Sequence, residues 1–301
     1  MDSAGNLQQG NGDDLEEAAA VFTRVRPRLF GIAYRMLGSA TEAEDLVQEV
    51  WLRWQQCDRT AVVNPPAFLA TTMTRLAINA LRLARVRRET YIGPWLPEPV
   101  DTSADPYLGA ERDAALEVAT LMLMDKLKPN ERAAYVLREA FEYRYDEIAD
   151  ILQSNEPAVR QLVSRARKHM ASERHRPVSP AEQRKLLTAF IAAARRGDMT
   201  ALEQLFASDV ASVSDGNGMA RVSRHPVTGV QRVAQFLHTV SPWFWDGVDV
   251  EWANTNGRTS AVLRRDGTVS VVVTVAASAD GIDQVLWLFN PDKLAGVSAT
   301  S

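Results

Sequence analysis

The stretch from Tyr145 to Met170, YDEIADILQSNEPAVRQLVSRARKHM, constrains this chain most. Two short runs of apolar residues at helical spacing, 148–152 and 159–166, flank the sequence QSN. Two helices joined by a tight turn are predicted, with Ser154 as the cap of the second. Basic and polar residues lie outside the apolar stripe of the second helix, where they could meet base edges or phosphates. These residues are Arg160, Ser164, Arg165, Arg167 and Lys168. The pattern favours DNA binding over a plain helical hairpin with a solvated basic face.

The turn of this motif contains a residue of unexpected type. Gln153 stands where a left-handed backbone is often required, and glycine adopts that conformation at the lowest cost. Gln153 is therefore a departure from the usual helix-turn-helix pattern.

The overall charge limits how the chain can bind DNA. The formal net charge is −4 and the calculated pI about 5.7, unlike a protein that holds nucleic acid alone by counterion release. Basic residues cluster at 75–88 and 160–176, so DNA binding is expected to be local and to occur within a larger assembly. The single cysteine, Cys57, excludes an internal disulfide. A polar, acidic start and the lack of a long apolar run predict a cytoplasmic protein without a membrane span.

Periodicity divides the 301 residues into three domains. Helical spacing predicts an all-helical domain at 15–90, preceded by a disordered tail of about a dozen residues. A proline-rich linker at 91–110 separates it from a small helical domain at 111–173. Helices followed by strand-like runs predict an α+β domain at 181–294. The pairs Asp266-Gly267 and Asp280-Gly281 indicate hairpins in an antiparallel meander.

Two segments resemble a known family. The stretch LFGIAYRMLGSATEAEDLVQEVWLRW, followed by FLATTMTRLAINALRLARVRRE, resembles region two of extracytoplasmic-function (ECF) sigma factors. The helix-turn-helix after KLKPNERAAYVLREAFEYRYDEIADIL resembles their region four. The resemblance implies that the chain directs core RNA polymerase to promoter DNA, with the β′ clamp helices and the β flap as contacts. Candidate clamp-binding residues are Asp45, Gln48, Glu49 and Arg53.

The same resemblance implies how the promoter is read. The loop at 58–64 and the helix after it would hold the minus-ten element as a melted strand with one base turned out, and the helix-turn-helix would read the minus-thirty-five element. Candidate minus-ten residues are Arg75, Asn79, Arg82, Arg85 and Arg88. Trp51, Trp54 and Phe68 could stack on bases, but their helical spacing favours core packing.

Three further motifs, WLPEP at 95–99, DGNGM at 215–219 and NPDKL at 290–294, resemble the ECF subgroup with a fused SnoaL-like domain. This implies a cone-shaped, nuclear-transport-factor-like α+β domain that regulates the sigma domains without a separate anti-sigma protein. The implied interdomain contacts are Trp95, Pro97, Asp215, Gly216, Gly218, Asn290, Asp292 and Lys293. Asn217 and Met219 depart from the subgroup's glycine and lysine. Asparagine tolerates a left-handed turn, but methionine cannot replace an ammonium. If that lysine normally pairs with an acidic group on the sigma domains, the contact is either lost here or made by Arg221 or Arg224.

Other functions remain open from the residues alone. Related cones build small enzymes, and Asp209, Asp215, His225 and His238 are the candidate catalytic residues, although their spacing does not specify catalysis. A rival interpretation is a helix-turn-helix regulator with a small-molecule-sensing domain. The cavity of such a domain could be lined by Trp243, Phe244, Trp245 and Trp252. We expect no catalysis, metal or cofactor, because the usual signatures are missing.

Overall fold

The computed structural model describes residues 4–88, 90–102, 116–173 and 177–297, without the side chains of residues 4–14, 85, 87, 172 and 173. Its helices are α1 (Ala4–Leu37), α2 (Ala40–Gln56), α3 (Pro65–Arg88), α4 (Val118–Asp125), α5 (Pro129–Glu139), α6 (Tyr145–Leu152), α7 (Glu156–Glu173), α8 (Pro180–Arg196), α9 (Met199–Leu205), α10 (Val230–Phe244) and α11 (Pro291–Leu294). Its strands are β1 (Phe206–Asp215), β2 (Val227–Thr228), β3 (Val248–Thr255), β4 (Arg258–Arg265), β5 (Thr268–Ser278) and β6 (Gly281–Leu288).

Contacts divide the chain into two compact units. The first comprises the residues up to 85 and those from 127 to 167. The second comprises the described residues of 86–102, 116–126 and 168–297. The proline-rich linker and α4 therefore belong to the C-terminal unit, a grouping that differs from the predicted division into sigma domains and tail.

The first unit is all-helical. Trp54 is 2% exposed and donates its indole N–H to the carbonyl of Ala18 at 3.1 Å, so it is a core residue of the α1–α3 bundle. Phe68 packs on Trp54 with ring centroids 5.9 Å apart, as the helical spacing predicts. The expected disordered tail is wrong from Ala4 onward, where α1 begins. Extending an existing helix adds one hydrogen bond per residue and avoids the cost of nucleation, which explains the longer helix.

The second unit has the predicted α+β class. Its six-stranded sheet has the order β2-β1-β6-β5-β4-β3. The strands from β3 to β6 form the predicted antiparallel meander, whereas β1 pairs parallel to β6. Asp266 and Gly267 have positive φ at the β4–β5 turn, and Gly281 has a φ of 120° at the start of β6, which confirms both hairpin signals.

The sheet has two covered faces. On one face, α8, α9 and α10 pack on a core that includes Phe190, Val273 and Trp287. The other face, here called the outer face, carries Val262, Val272 and Leu286. Leu96 of the linker is part of the outer-face cluster, and Val118 and Met122 of α4 pack against that cluster. The sheet therefore holds the linker and α4 by apolar burial.

Candidate functional site

The exposed face of α2 presents the four residues predicted to bind the polymerase clamp. Asp45, Gln48 and Arg53 are exposed, and Arg53 pairs with the half-buried Glu49 at 2.9 Å. Leu52 lies on the same face and is 52% exposed. An exposed leucine among charged residues is typical of a protein-binding surface. The sequence prediction for this surface named polar residues only and did not include Leu52. The one sequence signal for Leu52 is that it is apolar but lies outside the apolar stripe of α2.

Three of the predicted minus-ten residues form a stripe on α3. Arg75, Asn79 and Arg82 are exposed and follow one another at spacings of four and three residues, which places them on one helix face. The side chain of Arg85 lies outside the described part of the chain. Arg88 points elsewhere: its guanidinium pairs with Asp125 and lies 3.4 Å from the centroid of the Trp95 ring. The structure therefore does not place Arg88 with the stripe.

Arg75 also contacts the helix-turn-helix. Its Nε donates to the carbonyl of Ile151 at 3.0 Å and its Nη2 to the carbonyl of Asp150 at 3.3 Å. These carbonyls lie in the last turn of α6, where a helix attracts cations. A second contact in the first unit joins α1 to the segment after α5: the missing side chain of Gly31 leaves room for Phe141, whose ring would lie 3.1 Å from a Cβ there.

Helices α6 and α7 form the predicted helix-turn-helix. Ile148 and Ala149 of α6 and Val159, Val163 and Ala166 of α7 are buried. The cap differs from the prediction: Asn155, not Ser154, accepts the amide of Ala158, at 2.9 Å. Asparagine and serine cap equally well, so only the position of the turn decides between these neighbours.

The basic face of α7 is partly neutralised by acidic neighbours. Arg160 donates to Glu156 at 3.0 Å and lies 4.2 Å from the centroid of the Tyr145 ring. Arg165 pairs with Glu131 at 3.0 Å, and Arg167 pairs with Glu139 at 2.7 Å, a bond that raises the pKa of Arg167. Ser164 and Lys168 are exposed, as is Gln161, which the sequence analysis missed. An exposed glutamine near the start of a recognition helix is a candidate reader of adenine.

Gln153 adopts the predicted left-handed backbone, with φ of 51° and ψ of 50°. We expect Gln153→Gly to raise the free energy of unfolding of the first unit by about 0.5–1 kcal/mol, because glycine adopts this conformation without a Cβ clash. Urea unfolding measures the change. Gln161→Gly, at an exposed position inside α7, is the control and should lower stability by a similar amount. A lower free energy of unfolding for Gln153→Gly would show that the left-handed backbone of Gln153 is not strained.

The three motifs of the C-terminal unit meet at one buried carboxylate. Asp215, at the end of β1, is 0% exposed. Its Oδ2 accepts the amide of Leu96 at 2.7 Å and the ammonium of Lys293 at 2.7 Å, and its Oδ1 accepts the hydroxyl of Tyr91. The amide group of Asn290 donates to the same hydroxyl at 2.8 Å. We call Tyr91, Leu96, Asp215, Asn290 and Lys293 the linker anchor.

Burial sets the electrostatics of the linker anchor. The ammonium of Lys293 donates to the carbonyl of Leu96 at 2.6 Å and lies 4.2 Å from the centroid of the Trp95 ring. Burial lowers the pKa of Lys293, and the attraction of Asp215 opposes that shift. Burial and the hydrogen bond to Asp215 raise the pKa of Tyr91 well above its usual value. Tyr91 therefore stays a neutral donor across the physiological range.

The other predicted contact residues support the linker anchor to different degrees. Pro97 is buried, whereas Asp292 is exposed and its amide donates to the Asn290 side chain at 3.1 Å. A Cβ at Gly216 would lie 2.8 Å from the Val222 side chain, so a larger residue does not fit. Gly218, with a φ of 82°, leaves room for Ile92 of the linker at 3.2 Å.

The departures in DGNGM are accommodated in different ways. Asn217 takes a φ of 43°, as predicted for a residue that replaces glycine. Met219 is 43% exposed. Arg221 lies 5.9 Å from the centroid of the Trp243 ring, and the Arg224 backbone lies against Gly93. The lysine that pairs with Asp215 is Lys293, from NPDKL.

The end of the linker and the start of α4 attach to the β3–β4 turn. The side-chain oxygen of Asn256 accepts a hydrogen bond from the amide of Val100 at 3.2 Å, and its side-chain nitrogen donates to the carbonyl of Leu116 at 3.1 Å. Glu117 accepts from Nε of Arg258 at 2.9 Å. These polar contacts fix the linker and α4 at the same edge of the sheet.

The candidate catalytic and sensing residues are dispersed. Asp215 belongs to the linker anchor, and His225 and His238 are exposed. Asp209 lines a cavity on the outer face of the sheet. The aromatic cavity of the small-molecule-sensing alternative is not formed: Phe244 and Trp245 pack with Trp287 as core residues, and Trp243 and Trp252 lie at the surface. Aromatic rings that can pack edge to face with one another leave no cavity between them.

The described residues contain no helix that is both long and apolar enough to cross a membrane. They also contain no group of three or more histidine, cysteine or acidic side chains placed to hold a metal ion.

Comparison with known proteins matches these elements to one family. The family model of sigma-70 region 2 matches residues 21–87, and that of sigma-70 region 4 matches residues 118–170. The ECF RNA polymerase sigma factor SigJ of Mycobacterium tuberculosis is 34% identical over 293 residues, which cover 91% of this chain and 92% of SigJ. The probable ECF sigma factor SigI of the same species is 30% identical over 204 residues, 66% of this chain and 70% of SigI.

A solved structure extends the likeness to the C-terminal domain. The crystal structure of M. tuberculosis SigJ superposes with a TM-score of 0.75 and 31% identity, covering 94% of this chain and 100% of that one. The rival interpretation, a helix-turn-helix regulator, does not explain the region 2 match. The chain belongs to the ECF RNA polymerase sigma factors and is an alternative sigma factor with two helical sigma regions and a C-terminal α+β domain.

Proposed function

We propose that the C-terminal domain modulates promoter use by fixing the linker between regions 2 and 4 through the linker anchor. The supporting observation is the buried pair of Asp215 and Lys293, which also binds both backbone groups of Leu96. A linker fixed in this way limits the positions that the two sigma regions can take on polymerase. The domain thereby does what a separate anti-sigma protein does for other sigma factors.

The polymerase and promoter contacts are proposed on the exposed surfaces described above. The α2 face around Asp45, Arg53 and Leu52 would bind the clamp helices of core RNA polymerase, with region 4 on the β flap. The α3 stripe of Arg75, Asn79 and Arg82 would bind the melted minus-ten strand, where arginines neutralise the backbone. The exposed face of α7 would read the minus-thirty-five element.

We further propose that the chain acts in the cytoplasm and has no chemistry of its own. The carboxylate best placed by burial, Asp215, already accepts hydrogen bonds from Tyr91, Leu96 and Lys293. It is thus engaged as a structural ion, which does not suit a general base that must receive a substrate proton. Polymerase supplies the catalysis.

The variant Tyr91→Phe tests the modulation. It removes the hydroxyl bonded to Asp215 and Asn290 and keeps the ring. Run-off transcription of sheared genomic DNA by core polymerase and the full chain, followed by sequencing, identifies the promoters. On these, Tyr91→Phe should change output by at least about tenfold, because losing one hydrogen bond to a charged group costs about 1.5 kcal/mol or more.

The matched control is Ser270→Ala. It removes one hydroxyl in the same unit, at the β4–β5 hairpin, and should leave output unchanged. Unchanged output for Tyr91→Phe would contradict the regulatory role. Failure of the full chain to bind core enzyme would contradict the polymerase contacts themselves. A chain stopped near residue 176 is a poorer test, because it exposes Leu96, Val118 and Met122, which pack on the C-terminal sheet.

A further inference from the structure

A cavity in the C-terminal unit has no role in the proposed modulation. Its volume is about 300 Å³, at the lower limit of small-molecule pockets. Residues of α4, including Val118 and Met122, form one side. The rest of the lining includes outer-face residues of the sheet, such as Ala276 and Leu286, together with Gln183 of α8 and Val275 of β5. The aromatic core residues Phe190, Phe244 and Trp287 do not line this cavity.

Two side chains that line the cavity have polar atoms without a partner among the described residues. Gln183 is 3% exposed, and its amide nitrogen donates to the carbonyls of Thr259 and Val275 at 3.0 and 3.4 Å. These two bonds fix the amide group and leave its Oε1 unpaired. The Nε of Arg258 donates a hydrogen bond to Glu117 at 2.9 Å, whereas its Nη1 has no partner among the described residues.

Both side chains line the cavity, Gln183 from α8 and Arg258 from the start of β4. Arg258 directly precedes Thr259, whose carbonyl holds the Gln183 amide. A buried acceptor and a buried donor without partners both cost free energy. A ligand that donates to Oε1 of Gln183 and accepts from Nη1 of Arg258 would satisfy both. An amide group of the form O=C–N–H presents an acceptor and a donor side by side in one plane.

The charges around the cavity exclude a charged ligand. Arg258 is already neutralised by Glu117, and Asp209 and Asp283 also line the cavity, so an anion would be repelled. A carboxylate also lacks the donor that Gln183 needs. A cation would be repelled by Lys126 and could not accept from Nη1 of Arg258, which would stay unpaired. Apolar side chains of α4 and the sheet suit the faces of a small ring.

We propose that this cavity binds a small uncharged ring compound with a lactam or primary-amide group, whose C=O accepts from Arg258 and whose N–H donates to Gln183. Helix α4, which forms one side of the cavity, is the first helix of the region 4 match. A bound ligand therefore stabilises the packing of that helix on the sheet. The effect of this packing on promoter use rests on the proposed function.

Ligand-observed NMR of the full chain tests the proposal with three probes. Uracil and nicotinamide carry the amide group, and 1,3-dimethyluracil is a ring of the same type without an N–H. Uracil or nicotinamide should bind with a Kd of about 1 mM or tighter, as expected for so few atoms. The dimethyl compound should bind at least about tenfold more weakly, because it leaves Gln183 unpaired.

Two variants locate the site. Ala276→Leu fills the cavity without changing a polar group and should abolish binding, whereas Ala253→Leu, on the same face of the sheet and outside the cavity, should not. Gln183→Leu should weaken binding by at least about tenfold. Absence of binding by both amide probes, equal binding of dimethyluracil, or unchanged binding by Ala276→Leu would each overturn the proposal. These measurements use no polymerase, so their failure leaves the proposed modulation standing.

Discussion

Lys293→Met should release the linker from the C-terminal sheet and lower the free energy of unfolding of this unit by about 3–5 kcal/mol. The substitution keeps the length of the side chain and leaves the Asp215 carboxylate buried without its cation. An uncompensated buried charge costs far more than a lost surface pair. Hydrogen exchange of residues 90–102 during urea titration is the measurement, because it follows the linker itself.

Two further variants control this experiment. Lys185→Met removes an exposed lysine, 76% exposed and paired with Glu182, and should change stability by less than about 0.5 kcal/mol. The double variant Asp215→Leu with Lys293→Met removes both charges and should recover part of the loss. Linker protection in Lys293→Met equal to that of the unmodified chain would show that the pair does not hold the linker.

Ser164→Glu should reduce promoter-specific run-off by about 100-fold or more, equivalent to about 2.7 kcal/mol. Ser164 is exposed in the middle of the recognition helix, so the change leaves folding intact. A carboxylate there loses a hydroxyl contact to a base and repels the phosphates on both sides of the groove. The assay is run-off transcription from a promoter identified with the unmodified chain.

Ala189→Glu is the matched control. It adds the same charge at an exposed position of α8 in the C-terminal unit and should keep full output. Binding to core polymerase should be equal for both variants. Full output from Ser164→Glu would mean that α7 does not enter the groove.

The sequence predicted well those helices and turns that are specified by residues close together in the chain. The helix-turn-helix follows from apolar spacing, and the left-handed Gln153 follows from the geometry of the turn. The Asp-Gly pairs predicted the hairpins of the meander because those residues adopt positive φ cheaply. The parallel pairing of β1 with β6 joins segments about 75 residues apart, and no local signal specifies it.

The sequence motifs indicated which segments form the linker anchor, but they did not show which of its side chains pair. The three motifs indicated a contact, yet only the fold shows that Asp215 pairs with Lys293, 78 residues away. The same limit applies to Arg88, which stacks on Trp95 where a promoter contact was expected. The cavity beside α4 was missed because its walls come from distant segments of mixed polarity.

The hydrogen bonds of Arg75 set a geometric limit on initiation. Promoter elements centred at minus ten and minus thirty-five are about 25 base pairs apart, or about 85 Å along B-form DNA. In this structure, the guanidinium of Arg75 lies 3.0 Å from a carbonyl of the helix-turn-helix. A chain in this arrangement spans at most one of the two elements. With the promoter contacts proposed for α3 and α7, full promoter recognition requires α3 and α6 to separate, and we expect Phe141 to leave its place beside Gly31 as well.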